Sequence, residues 1–319
     1  MSFPTYAALN EQIIEHFQNK EYQQALELII SEGSQFPTKR IMVDYWTMCS
    51  AARLDNRALV YQVAEKFHAD GLWYGEVMWR QTPSFQKLQG DPDFERIVVA
   101  SQKAMKSDPS SSESVLLKYF PKDHSPNSPL LISLHGNQSL ASDTVPFWKP
   151  AVSKGYVLAV PQSTQAMFKD AFAWDDLDKS FADVNASYIK LKEELPFNEN
   201  HIVLAGHSMG GLIAIQIALT GLINVRGFIA NGPALPFMDA EDELESLLPP
   251  ARERGLRGFF IIGENDTDIF QDEVRALAEK LKSAGIACEL ETVPGATHDY
   301  SPVYDAALLR ALAFISASD

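Results

Sequence analysis

The chain has 319 residues, of which 46% are hydrophobic, and its 27 Lys and Arg face 42 Asp and Glu, which gives a net charge of −15. This length is typical of two domains, and the acidic balance argues against nucleic-acid binding, because phosphate contacts need a basic surface. No apolar run reaches the ~18 residues that span a bilayer. The first residues lack the pattern of a secretory signal, so the sequence predicts a cytoplasmic protein.

Residues 1–100 are predicted to form an all-α domain, because apolar residues recur there at helical intervals in four stretches. The stretches begin near Ala8, Tyr22, Tyr45 and Leu59. The second and fourth end at Gly33 and Gly71, so each pair of helices has the form of one helix–turn–helix repeat. The domain resembles tetratricopeptide-type repeats, and residues 85–94 resemble the segment that often ends such arrays. A plain helical bundle is the alternative.

Residues 101–113 are rich in Ser, Lys and Asp and are predicted to be a solvated linker. Strands and helices then alternate through residues 114–319, which predicts a mostly parallel α/β sheet flanked by helices. The predicted strands are 115–120, 130–134, 156–160, 201–205, 225–229, 257–262 and 287–293. Most of the acidic excess lies in this half, since residues 1–108 carry a net charge of −3 and residues 109–319 one of −12.

The most informative motif is Gly206-His207-Ser208-Met209-Gly210, between a predicted strand and a predicted helix. A G-x-S-x-G in this setting is the nucleophile elbow of an α/β-hydrolase, and it predicts Ser208 as the nucleophile. Glycines are needed at positions 206 and 210 because a Cβ there would collide with an adjacent segment of the backbone.

The partners of such a serine follow in the order acid, then histidine. Asp266 follows the predicted strand 257–262, and His298 lies in the loop after the strand 287–293. His298 is therefore predicted to take the serine proton, and an acid just past the strand 257–262 to hold the imidazole in the correct tautomer. The alternatives for the acid are Glu264, Asp268 and Asp272, and Asp268 is also a candidate helix cap.

With these residues in place, the chain resembles the esterase and carboxylesterase branches of the α/β-hydrolase superfamily over residues 114–319. The resemblance favours Asp266 as the acid, because the family pattern places the acid three residues after the strand-ending glycine. It also implies an oxyanion hole formed by the backbone N–H groups of Met209 and Asn137. The loop His135-Gly136-Asn137-Gln138 departs from the lipase form HGGG, which leaves the exact donor open.

The substrate pocket is predicted to include His135, Gly136, Trp174 and His207. A structural role is the alternative for both histidines, and Trp174 either walls the pocket or packs its loop onto the sheet. Residues 233–255 stand where the superfamily inserts a lid. That segment is short, so the N-terminal domain is a second candidate to cover the site.

The sequence thus predicts a serine carboxylesterase for small to medium acyl esters, which needs no metal or organic cofactor. Cys49 and Cys288 are expected to be free thiols in a reducing compartment. Thioesterase and peptidase activity on the same triad are alternatives, because substrate choice depends on pocket walls. A different class is a helical-repeat interaction protein with a silent hydrolase domain. Binding of a protein partner, or self-association, through the helical domain is compatible with either class.

Overall fold

A computed structural model of the chain describes residues 3–108, 111, 115–235 and 241–317. The chain divides into two compact units. The first comprises Met1–Glu113 with Ala166–Asp170, and the second comprises Ser114–Gln165 with Ala171–Asp319. No helix among the described residues has both the length and the apolar character needed to cross a membrane.

The first unit is helical, as its apolar periodicity predicts. Its α-helices are α1 (Tyr6–Gln18), α2 (Tyr22–Glu32), α3 (Arg40–Arg53), α4 (Arg57–Ala69), α5 (Glu76–Gln81) and α6 (Pro92–Ser107). Short 3₁₀ turns lie at Gly33–Gln35, Pro37–Lys39 and Pro83–Leu88. Fully buried aromatic side chains dominate the core, among them Phe67, Tyr74, Trp79, Phe85 and Phe94. The tetratricopeptide resemblance of this unit stays a prediction.

The linker predicted at 101–113 is wrong over its first half, because residues 101–107 form the end of α6. Ser101 is fully buried, and its hydroxyl accepts a hydrogen bond from the Tyr74 N–H and donates one to the Tyr74 carbonyl, each at 2.9 Å. Composition alone suggested a solvated segment, whereas this buried and paired serine packs into the helical unit. Residues 109–110 and 112–113 of the predicted linker lie outside the described residues.

A segment from the middle of the sequence belongs to the helical unit. The Gly75 N–H donates to the carbonyl of Met167 at 2.5 Å, and Tyr74 forms an antiparallel bridge with Phe168. A Cβ on Gly75 would lie 2.0 Å from the Ala166 carbonyl oxygen, so only glycine permits this approach. Residues 166–170 therefore interrupt the continuous range 114–319 that the sequence suggested for one domain.

The second unit is built on a seven-stranded sheet. Its strands are β1 (Leu116–Tyr119), β2 (Leu130–Leu134), β3 (Val157–Pro161), β6 (Ile202–His207), β7 (Gly227–Asn231), β8 (Arg257–Gly263) and β9 (Ala287–Val293). The strand order is β1-β3-β2-β6-β7-β8-β9, and only β1 runs antiparallel to its neighbour. Two short strands lie outside this sheet: β4 (Gln165–Phe168), which belongs to the helical unit from Ala166 onward, and β5 (Ala171–Ala173) in the second unit.

Helices cover both faces of the sheet, which explains why β2, β3 and β7 are continuous buried runs without alternation. The helices are α7 (Ala141–Trp148), α8 (Leu177–Glu194), α9 (Met209–Thr220), α10 (Glu241–Glu253), α11 (Gln271–Ser283) and α12 (Tyr304–Ser316). One face packs against α8, α9, α10 and α11, and the other against α7 and α12. Of the predicted lid, residues 236–240 lie outside the described residues, and α10 forms most of the remainder.

The sheet topology brings the predicted catalytic positions to one edge. Strands β6, β7, β8 and β9 are mutually parallel, so their carboxyl ends lie side by side. Ser208 follows β6, Asp266 follows β8 and His298 follows β9. Ligands of open α/β sheets bind outside the carboxyl ends of the strands, and this edge is therefore the place to look for a site.

Candidate active site

Ser208 lies in the tight turn between β6 and α9 and has a strained backbone, with φ 53° and ψ −123°. A non-glycine residue rarely adopts this conformation, and such strain clusters at functional sites. The flanking glycines explain how the turn closes. A Cβ on Gly206 would lie 2.2 Å from the Gly210 carbonyl oxygen, and a Cβ on Gly210 would lie 2.3 Å from the His135 carbonyl oxygen.

His298 and Asp266 are paired. The Nδ1 of His298 lies 2.9 Å from the Oδ2 of Asp266, whose side chain is almost fully buried while the imidazole is partly exposed. The other carboxylate oxygen, Oδ1, accepts the Asp268 N–H at 2.9 Å. An ionised carboxylate only accepts hydrogen bonds, so the pair places the proton of His298 on Nδ1 and leaves Nε2 as a base.

The other candidate acids have different positions. Glu264 accepts the Gly295 N–H at 2.8 Å and so joins the loops that follow β8 and β9. Asp268 is exposed and meets Asp266 through its backbone, and Asp272 lies in the first turn of α11. Of the four acids considered from the sequence, Asp266 is the one hydrogen-bonded to His298.

His207 lies between the serine turn and His298. The rings of His207 and His298 lie 4.7 Å apart between centroids, and Ser208 follows His207 directly in the chain. Among the described residues, neither Ser208 Oγ nor His298 Nε2 makes a hydrogen bond.

The loop after β2 lies against the serine turn. A Cβ built on Gly136 would lie 3.5 Å from the Ser208 Cβ and 3.0 Å from the His207 ring, so the loop and the elbow are in close contact. Within the described residues, the backbone N–H groups of Asn137 and Met209 make no hydrogen bond, whereas the Gln138 N–H donates to the Phe172 carbonyl at 2.8 Å. Met209 begins α9, and the first N–H groups of a helix have no intrahelical acceptor.

His135 has a structural environment. It is fully buried, and its Nδ1 donates to the Gly136 carbonyl at 2.7 Å while Nε2 accepts the Ser163 N–H at 3.2 Å. Burial lowers the pKa of His135 to about 4, so it is neutral at physiological pH. Trp174 is also fully buried, and its indole N–H donates to the His135 carbonyl at 2.9 Å. Both side chains are therefore buried and hydrogen-bonded, which fits the structural alternative that the sequence left open for each of them, and their assignment to the substrate pocket stays a prediction.

His207 is packed inside the turn. Burial, followed by the proximity of His298, lowers the pKa of His207 to about 4. The Asn231 side-chain nitrogen lies 3.0 Å from its Nδ1, and the Tyr300 ring lies 4.8 Å from its ring. The ring is thus held between the strand end and two aromatic neighbours.

The architecture of the sheet, the position of the serine turn and the comparisons with known proteins agree on the fold. The second unit has an α/β-hydrolase fold. The family model described as "Serine aminopeptidase, S33" matches residues 169–251. A comparison with curated proteins gave no significant match.

The solved structures that are similar to this chain include two with TM-scores above 0.5. One is an uncharacterized protein from Bacillus cereus ATCC 10987, which is 25% identical, has a TM-score of 0.55 and covers 98% of this chain and 99% of its own. The other is esterase PE8, which is 17% identical, has a TM-score of 0.51 and covers 64% of this chain and 97% of its own. The first likeness extends over the length of both units, and the second concerns the fold alone.

Three residues around the serine turn were missed from the sequence. The Asn231 carbonyl accepts the Ser208 N–H at 3.0 Å, and Gly232 makes room for the acid–histidine pair, because a Cβ there would lie 3.2 Å from both Asp266 Oδ2 and His298 Nδ1. Tyr300 packs against His207. The Asn-Gly pair at the end of β7 was the available signal, since it follows the strand between those that carry the serine and the acid.

Proposed function

We propose that the chain is a serine hydrolase that cleaves carboxylic esters of small to medium acyl chains through an acyl-enzyme on Ser208. The observation that carries the proposal is the strained serine turn beside a histidine whose Nδ1 is paired with a buried carboxylate. A serine hydroxyl is a weak nucleophile at neutral pH and needs such a base. The α/β-hydrolase fold and the likeness to an esterase support the same conclusion.

In the proposed reaction, Ser208 Oγ attacks the ester carbonyl carbon while His298 Nε2 takes the hydroxyl proton. Asp266 keeps the other imidazole nitrogen protonated and stabilises the imidazolium. The backbone N–H groups of Met209 and Asn137 bind the oxyanion of the tetrahedral intermediate. His298 then gives the proton to the leaving alcohol, and water releases the acid by the same steps.

The test is hydrolysis of p-nitrophenyl esters from acetate to octanoate by the wild type and by Ser208→Ala. We expect turnover by the wild type that is greatest on the short and medium chains and is lost in the variant. Equal release of p-nitrophenol by both proteins would show that the serine is not the nucleophile.

A second candidate is peptidase activity on the same residues, which the match to the serine aminopeptidase family model favours. Aminoacyl p-nitroanilides distinguish the two candidates. Turnover of anilides that exceeds turnover of esters of the same acyl group would favour the peptidase. If neither esters nor anilides are turned over, and Ser208 does not react with a fluorophosphonate, the result would favour an interaction protein with a silent hydrolase domain.

A further inference from the structure

The loop after β2 is joined to β5 and the residues that follow it by a series of hydrogen bonds. The Gln138 N–H donates to the Phe172 carbonyl at 2.8 Å, and the Phe172 N–H donates to the Ser139 carbonyl at 3.3 Å. Gln138 has a φ of 61°, a left-handed conformation that turns the backbone toward this partner. The loop is therefore fixed by backbone pairing on the side that follows Asn137.

Asn137 adds two bonds through its side chain. Its Oδ1 accepts the Trp174 N–H at 2.9 Å, and its Nδ2 donates to Asp175 Oδ1 at 2.6 Å. A hydrogen bond to a charged carboxylate is stronger than one between neutral groups. Both bonds leave the Asn137 backbone N–H without a partner among the described residues, on the loop that contacts Ser208.

We infer that Asn137 and Asp175 form a clamp that positions the backbone N–H of residue 137 for the oxyanion. The inference rests on the proposed function and assigns a positioning role to Asp175, an exposed residue that touches no reacting atom. The loop has Asn and Gln where a glycine-rich oxyanion loop has two glycines. Side-chain bonds here restrict a loop that would otherwise sample many backbone conformations.

The direction of the bonds provides a sharp test. Asn137→Asp places a carboxylate against Asp175, so the two like charges repel and the loop shifts. Asp175→Asn alone removes the charge but retains a polar partner. In the double variant, the amide of residue 175 donates to the carboxylate of residue 137, whose other oxygen still accepts the Trp174 N–H. Both hydrogen bonds are then restored with one of them reversed.

We expect Asn137→Asp to lower kcat for a p-nitrophenyl ester by about 10-fold to 100-fold with little change in KM, because a lost oxyanion donor costs about 10²–10³ in kcat and this loss is partial. Adding Asp175→Asn should restore kcat to within about threefold of the Asp175→Asn single variant, a non-additive result that reports direct coupling. Asp178→Asn is the matched control, since it removes an exposed acid from the first turn of α8 without touching the loop.

Urea unfolding of every variant separates positioning from a loss of structure. Wild-type activity in Asn137→Asp, or a double variant no better than that single variant, would overturn the clamp while leaving the proposed function standing. A folded wild type that turns over no ester would overturn the proposed function, and the clamp with it.

Discussion

The proposed chemistry depends on Ser208 and on the pair formed by Asp266 and His298. The serine is held at a φ of 53°, where side chains are rarely found, and the carboxylate of Asp266 is buried with both oxygens hydrogen-bonded. Backbone strain and a buried charge are each costly, and both persist only where the surrounding structure imposes them. Their coincidence at one sheet edge is the strongest residue-level argument for catalysis.

Replacement of the acid tests the role of the pair. Asp266→Asn should lower kcat by about 10³-fold to 10⁴-fold, because an amide no longer holds the proton of His298 on Nδ1. Asp268→Asn is the matched control: its side chain is exposed, and the N–H that it donates to Asp266 belongs to the backbone. Steady-state kinetics on one ester measures both, and a similar loss in the two variants would contradict the assignment.

Two histidines with lowered pKa values predict how stability depends on pH. Burial lowers the pKa of both His135 and His207 to about 4, from an ordinary value of 6.5. Between these values the unfolded chain binds protons that the folded chain does not, so stability is complete above about pH 6.5 and falls as the pH drops toward 4. Each histidine contributes about 1.4 kcal/mol per pH unit inside that window.

Urea unfolding at pH 7, 6 and 5.5 measures the effect, and we expect the midpoint to fall at each step. In His207→Gln the free energy of unfolding should fall less steeply with decreasing pH, because the contribution of that histidine is removed. A free energy of unfolding that stays constant from pH 7 to pH 5.5 would show that these imidazoles are not held neutral in the folded chain.

At the scale of elements, the serine turn depends on close contacts between backbones. Gly206→Ala and Gly210→Ala each place a methyl group within 2.4 Å of a carbonyl oxygen and should lower the free energy of unfolding by about 1–3 kcal/mol or more, with loss of activity. Gly211→Ala is the milder comparison, because its nearest contacts lie at 3.2 Å. Denaturant midpoints for the three variants rank the effect, and a Gly211 variant as damaged as the others would contradict it.

The sequence predicted the elements that have a strong local signal. The bounds of β2 and β9 coincide with the predicted strands, because each is a short run with apolar residues between turns. The strands β4 and β5 were missed, because strands of four and three residues show no periodicity. The antiparallel pairing of β1 with β3 and the inclusion of residues 166–170 in the helical unit depend on long-range contacts that no local pattern encodes.

The candidate site, like the fold, could be predicted from the sequence only in part. The serine turn has a sequence motif, and the order of strands restricted the acid and the histidine to two loops. The pairing of Asp266 with His298, the space at Gly232 and the side-chain bonds of Asn137 are three-dimensional facts. The burial of Trp174 could not be predicted either, since an aromatic residue in a loop fits a pocket wall equally well.

At the scale of the whole molecule, the charge is concentrated in the half of the sequence that carries the candidate site. Residues 109–319 carry a net charge of −12, against −3 for residues 1–108. Such a field repels anionic substrates during encounter, and salt screens it over about 10 Å at 0.1 M.

We therefore expect kcat/KM for an ester with an anionic acyl chain to rise about threefold or more as NaCl increases from about 0.02 M to 0.2 M. A neutral ester of the same chain length is the control and should change little. A salt response of the same size for both esters would mean that charge does not govern the approach of substrate.

The most direct test of the account is the site of covalent modification by a fluorophosphonate, read by mass spectrometry of the intact chain and of its peptides. We predict one adduct per chain, located on Ser208, with much slower labelling in His298→Ala and none in Ser208→Ala. An unmodified wild type, or an adduct on another residue, would contradict the claim that Ser208 is an activated nucleophile.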